Sequence, residues 1–458
     1  MTPAAGRGLR IGTAVLSVAM GTWTAPVAGA VTPPAVDHSL LPPPSSPAPP
    51  AATEPIGACH PVAHAGRSSG PMQLTTLGIP TLRPLSRGSG QTVAVIDTGV
   101  ARHRLLPRLT AGGDYVATGD GTQDCDGHGT IVAGIIAAVP VDDAADAFGG
   151  IAPDAGIIAI RQSSNQFRRS DGGSAPGVGD VDTLAMAVRT AADLGATVIN
   201  ISSVACGSAT DGLFDGALGA ALAYAVDVKN VVVVSAAGNV GGSGQCAQQN
   251  GTPDPTRTGR PDWDDVTVVV SPAWYDDYVL TVGSIGPDGH PSPFTLAGPW
   301  VDVAAPGESV VSLSTEGDGL VDTVAGSGDA KPIAGTSYAA PFVSGVAALI
   351  RARAPYLTAR QVMRRIEDTA HHPPAGWDPL VGFGVVDPLA ALSADGEPQA
   401  PGHPAAPAVP RPVDAEPVDP RVRTVALGGA AACLAVATAA VTLSTGWLRR
   451  RREPVTHD

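Results

Sequence analysis

Lysine is almost absent: Lys229 and Lys331 are the only two in 458 residues. Lys and Arg together number 28 against 42 Asp and Glu, a formal net charge of −14, and the arginines are scattered except at the extreme C-terminus. Without a basic stripe, nucleic acid is not an expected partner. Cysteine is scarce as well: Cys59, Cys125, Cys206, Cys246 and Cys433. None form a C-x₂-C pair, which argues against a zinc site, and no metal is expected. Cys433 falls in an apolar segment and is expected to be free. The other four would face an oxidising compartment, where cysteines pair, and four allow three connectivities.

Charge is also missing from 425–448, and Arg449, Arg450, Arg451 and Arg452 follow at once. That length suits one membrane crossing with the basic cluster on the cytoplasmic side; a buried core helix is the alternative. At the other end, Arg7 and Arg10, an apolar run over 11–20 and Ala28-Gly29-Ala30 form a secretory signal pattern, with an N-terminal anchor as the alternative. The expected organisation is a signal peptide over 1–30, a Pro-rich extension over 31–87 and a folded body over 88–393. A Pro-rich linker over 394–423, a transmembrane helix over 424–448 and a basic cytoplasmic tail over 449–458 complete it. The body would then lie outside the cytoplasm, tethered to the cell membrane by a single pass through the lipid bilayer.

Within the body, apolar β-branched runs alternate with Ala-rich helical patterns. Strands are predicted over 91–97, 156–161, 196–201, 231–236, 280–284 and 301–304. Helices are predicted over 130–138, 181–194 and 214–226, after Ser337, and from the capping box of Thr358 and Gln361 through Asp368. Near-continuous apolar strands separated by helices imply an α/β fold with a mostly parallel central sheet covered by helices on both faces. Chemistry in such sheets gathers at the carboxyl ends of the strands.

Four segments carry candidate chemistry. In Gly335-Thr336-Ser337-Tyr338-Ala339-Ala340-Pro341, the serine opens a helix, whose free N–H groups and positive dipole end stabilise developing negative charge. The bland reading is a helix cap. Asp97 closes the strand Val95-Ile96-Asp97-Thr98-Gly99, where a turn-forming Asp is the alternative. His128 stands between two glycines in Asp126-Gly127-His128-Gly129-Thr130, uncrowded and with a side chain suited to proton transfer near neutrality; alone it would be a loop histidine. Asn239, in Ser235-Ala236-Ala237-Gly238-Asn239, is otherwise a turn former. Together, Asp97, His128 and Ser337 follow the chain order of subtilisin, unlike that of chymotrypsin or the α/β-hydrolases.

These segments resemble those of subtilisin-like serine proteases, and the likeness runs from about Gly90 to Leu392. The resemblance implies a subtilisin-like three-layer fold and peptide bond hydrolysis through an acyl-enzyme. Ser337 would be the nucleophile, His128 the base and Asp97 its orienting carboxylate. The oxyanion hole would be formed by the Ser337 N–H and the Asn239 amide, and no cofactor is needed. Ser202, Ser203 and Val204 resemble a substrate-lining strand, but Ser203-Val204 stands where Leu-Gly is usual, so Val204 narrows that edge. The polar stretch 240–265 is a long insertion after Asn239, expected to restrict access to the cleft.

The whole-chain layout looks like a mycosin, the membrane-anchored protease of type VII secretion systems. That likeness implies association with the secretion membrane complex and cleavage of a restricted set of proteins secreted through the system. It also implies an N-terminal extension that stays attached. The cysteines fit this picture: Cys59 with Cys125 would staple the extension beside His128, and Cys206 with Cys246 would clamp two loops bordering the cleft. The rival expectation is a structural subunit stabilising the secretion complex, with proteolysis secondary. A third, a ligand-binding module on a stalk, would not require Asp, His and Ser in that order.

Overall fold

The runs of Val, Ile and Ala read as strands become strands because they can be buried on both faces. A computed structural model describes residues 31–57, 59, 77–140, 148–171, 177–241, 246–251, 259–324 and 330–394. The expected signal peptide, the linker beyond Ala394, the membrane segment with Cys433 and the basic tail lie outside the described residues. Among the described residues no helix is long and apolar enough to cross a membrane.

Seven strands make one parallel sheet: β1 (Thr92–Asp97), β2 (Leu109–Asp114), β3 (Gly156–Arg161), β4 (Val198–Ile201), β5 (Val232–Ala236), β6 (Leu280–Ile285) and β7 (Val303–Pro306). Their order is β7-β6-β5-β4-β1-β3-β2, and every neighbouring pair is parallel. β4 to β7 are buried throughout, as strands covered by helices on both faces must be. Edge strand β2 was not anticipated: Ala111-Gly112-Gly113 lacks an apolar pattern and carries a bulge between Ala111 and Gly113.

Two helices, α1 (His128–Ala137) and α4 (Thr336–Arg353), pack on each other and on the sheet, while α2 (Val181–Asp193) and α3 (Gly216–Ala223) pack together. α5 (Ala359–Asp368) opens with the expected capping box of Thr358 and Gln361. The helix predicted from 214 starts instead at Gly216. The Asp215 carboxylate is buried, accepting from Trp274 Nε1 at 2.8 Å and from the Tyr275 hydroxyl at 2.9 Å, which leaves Phe214 out in solvent at 97 % exposure.

The extension is draped over the body. Arg189 of α2 donates to the Pro42 carbonyl at 3.2 Å, the Thr53 hydroxyl donates to the Val116 carbonyl at 2.5 Å, and Thr53–Pro55 pairs antiparallel with Phe167–Arg169. Its last residues belong to the body's packing, because Ile79 and Leu82 are fully buried and Ser86 Oγ donates to the Leu349 carbonyl of α4 at 2.9 Å.

Candidate active site

The chain leaves β1 in one direction for β2 and β3 and returns on the other side for β4, so the crevice between the carboxyl ends of β1 and β4 is where a parallel sheet offers a site. Asp97 ends β1 there and is fully buried. Its Oδ1 accepts the Thr98 N–H at 2.7 Å and the His128 Nδ1–H at 2.8 Å. With Nδ1 engaged as donor, His128 Nε2 is an acceptor, and it lies 3.0 Å from Ser337 Oγ. The imidazole is 25 % exposed while the carboxylate is sealed, so solvent reaches the ring and not the acid.

His128 opens α1, and the first turn of that helix has little spare room. A Cβ on Gly129 would stand 2.0 Å from the Gly99 carbonyl oxygen, so only glycine lets α1 press against the end of β1. The start of α1 is held by Asp124, unnoticed in the sequence. Its carboxylate accepts from the Gly127 N–H, the Thr130 N–H, the Thr130 hydroxyl and the Thr98 hydroxyl at 2.7–2.9 Å. Burial pushes Asp124 up to about 6, although the bonds from Thr130 and Thr98 pull the other way. For His128, burial works against the cation, but the Asp97 charge and hydrogen bond, with the charges of Asp124 and Asp126, outweigh it and raise the imidazole above its ordinary value. The Tyr338 ring sits 4.9 Å from the imidazole, tilted 39°, and burial followed by the Asp97 and Asp124 charges keeps its phenol neutral.

Ser337 occupies the first turn of α4, and Pro341 lies four residues on. Proline has no N–H, so the Ser337 carbonyl loses its helical donor. Ser202 replaces it: its hydroxyl donates to the Ser337 carbonyl at 2.9 Å. In turn, Asn200 Nδ2 donates to Ser202 Oγ at 2.9 Å, and the Ser344 hydroxyl donates to Asn200 Oδ1 at 2.8 Å, which returns the chain of bonds to α4. Ser202, expected to line the substrate, thus commits its buried hydroxyl to the backbone of Ser337; Ser203 and Val204 remain half-buried at the rim. Asn239 Oδ1 accepts the Thr336 N–H at 3.0 Å and the Thr336 hydroxyl at 3.1 Å. That leaves its Nδ2 without a partner among the described residues, 3.7 Å from where a Cβ on Gly335 would stand.

Cys59 is joined to Cys125 and Cys206 to Cys246, with Cα separations of 4.7 and 5.4 Å. The described part of the insertion is fastened to the body: Asn250 bonds to the Val268 N–H and to the Val268 and Ala297 carbonyls, and Gln249 to Thr295 and Ala297. Asp124, Asn200, Tyr338 and Ser344 were not read from the sequence as part of the site. The spacings Asp124 to His128 and Ser337 to Pro341, each four residues, were the available signals.

Residues 88–384 match the Subtilase family. The chain is 58 % identical to Mycosin-4 of Mycobacterium tuberculosis over 441 residues, covering 94 % of this chain and 95 % of that one. The crystal structure of MycP1 from Mycobacterium smegmatis is similar with a TM-score of 0.74 at 42 % identity, covering 81 % of this chain and 97 % of that chain. A chain in the structure of an intact ESX-5 inner membrane complex also gives 0.74 at 42 % identity, covering 91 % and 100 %. Sheet topology, the residues at its carboxyl edge and similarity along nearly the whole length agree: the chain belongs to the subtilase family, among its mycosins, and is a subtilisin-like serine peptidase.

Proposed function

We propose that this protein is a membrane-anchored, extracytoplasmic serine endopeptidase that cleaves a restricted set of proteins secreted through a type VII system and associates with its membrane complex. The observation that carries the catalytic part is the unbroken hydrogen-bond series from Asp97 through His128 to Ser337, at 2.8 and 3.0 Å. Ser337 Oγ attacks the scissile carbonyl as its proton passes to His128 Nε2, and the imidazolium then hands that proton to the leaving amine. Asp97 fixes the tautomer and steadies the cation. Ser337 N–H and Asn239 Nδ2 receive the oxyanion at the start of α4, where the helix dipole adds to them. Water, deprotonated by His128, releases the acyl group.

The uncharged 425–448 segment followed by four arginines supports the anchor and the orientation. Likeness to a chain of the ESX-5 inner membrane complex supports the association, and it also favours a second reading, a structural role in such a complex beside proteolysis. Ser337→Ala separates the two. Peptide cleavage and secretion through the complex are measured together: loss of cleavage with secretion intact supports both roles, and unchanged cleavage overturns the nucleophile assignment.

A further inference from the structure

We propose that Tyr338 is a positioning residue for peptide hydrolysis: its ring rests against the His128 imidazole and keeps that base lined up between Asp97 and Ser337. This rests on the peptidase reading above. Tyr338 follows Ser337 in the first turn of α4, and its N–H donates to the Gly335 carbonyl at 3.0 Å. Neighbouring helical residues point about 100° apart, so Ser337 Oγ stands 3.0 Å from His128 Nε2 while Tyr338 brings its ring to the imidazole from another side. α1 and α4 pack on each other, and the buried ring lies where their N-terminal ends meet.

Two hydrogen bonds alone do not fix the base. Asp97 holds Nδ1 at 2.8 Å and Ser337 meets Nε2 at 3.0 Å, which leaves the imidazole able to rock about the line joining its two nitrogens. A neighbour lying over the ring stops that motion, and Tyr338 supplies it. The two centroids are 4.9 Å apart and the planes 39° from parallel, nearer to stacked than to edge-on. The contact also has an electrical side. An aromatic ring attracts a cation held within about 6 Å of its centroid, and His128 becomes a cation each time it takes the Ser337 proton. Burial, then the charges of Asp97 and Asp124, raises the Tyr338 phenol and keeps it neutral, so the ring brings no opposing charge of its own. The ring, and not its hydroxyl, is the working part.

Modification of the full-length protein in detergent by diisopropyl fluorophosphate, followed by intact mass across pH, tests this without a known substrate. Ser337 Oγ bonds to phosphorus, fluoride departs and the hydroxyl proton goes to His128. Tyr338→Leu keeps an apolar side chain and removes the ring. Its limiting rate is expected to fall about tenfold, with the pH midpoint about half a unit toward acid, the scale of one cation–π contact. Tyr338→Phe returns the ring without the hydroxyl and is expected to restore the rate to within about twofold, and the midpoint to its wild-type place. Phe fills the same space, so this arm stands even where the Leu variant does not fold. A Leu variant with wild-type rate and midpoint overturns the proposal, and so does a slower one whose midpoint has not moved, since that marks loosened packing only. A Phe variant as impaired as Leu overturns it too, by making the hydroxyl the working part. A wild-type Ser337 that stays unmodified overturns the peptidase reading, and the role of Tyr338 with it.

Discussion

The Ser202 hydroxyl is hydrogen-bonded to the Ser337 carbonyl, taking the place of the N–H that Pro341 lacks. The backbone of Ser337 is therefore held from the end of β4 and not by its own helix. Ser202→Ala leaves that carbonyl short of a donor and loosens Ser337, the proposed nucleophile, without touching the imidazole. We expect kcat to fall about five- to tenfold with KM nearly unchanged, the scale of one hydrogen bond. Steady-state kinetics on a fluorogenic peptide decide it; a rise in KM at constant kcat would instead mark Ser202 as a substrate contact.

Asn239 has two jobs on two atoms, since Oδ1 accepts from Thr336 and Nδ2 is free to donate. Asn239→Asp keeps the acceptor and removes the donor. Turnover is expected to drop about 10²–10³-fold, as for loss of one oxyanion donor, while Tm stays within a few degrees of wild type. Equal turnover in the Asp variant would remove Asn239 from the oxyanion site.

The charges of Asp97, Asp124 and Asp126 prevail over burial at His128, so the imidazole protonates more readily than the ordinary value of 6.5. Proton acceptance needs the neutral ring, so kcat/KM rises with pH through a midpoint above 6.5. Stability runs the other way: with the folded-state value raised, the contribution of protonated His128 is fully present below the unfolded-state value and is lost as pH climbs through the folded-state one. Asp124→Asn removes one of the charges and shifts the activity midpoint toward acid. It also lowers the plateau, because the first turn of α1 loses acceptors. A pH profile of kcat/KM for both proteins is the measurement, and a midpoint unmoved by the substitution contradicts the electrostatic account.

The described part of the extension lies along α2 and the edge of the sheet, bonded at Pro42 and Thr53 and paired to Phe167–Arg169. Deleting 31–57 is expected to lower Tm by several degrees, given about 1 kcal/mol for each hydrogen bond lost, with no gain in peptide turnover. An increase in turnover on deletion would mean that the segment inhibits the site.

Much of the sheet was legible because buried parallel strands admit little besides Val, Ile and Ala, as in β1, β4 and β5. β2 was not, since Gly112 and Gly113 dilute its pattern and its place at the edge removes the need for two apolar faces. Asp97, His128, Asn239 and Ser337 stood out because each sits in a short segment whose neighbours are constrained by close packing. Asp124, Asn200 and Ser344 carry no such local mark: their partners come from other parts of the fold, and only the folded sheet puts Asn200 between Ser202 and Ser344. The late start of α3 was hidden for the same reason, because Asp215 is drawn inward by Trp274 and Tyr275, about 60 positions away.

The imidazole and the hydroxyl it contacts are separated by 209 positions of chain. During synthesis, Asp97 and His128 emerge early, while α4 arrives only when most of the body has been made. Bringing such remote partners together is the slow, entropically costly part of assembling a fold of this kind. On the proposed roles of these three residues, a nascent or half-folded polypeptide is thereby harmless to itself and its neighbours, and cutting power appears only when the last large helix docks.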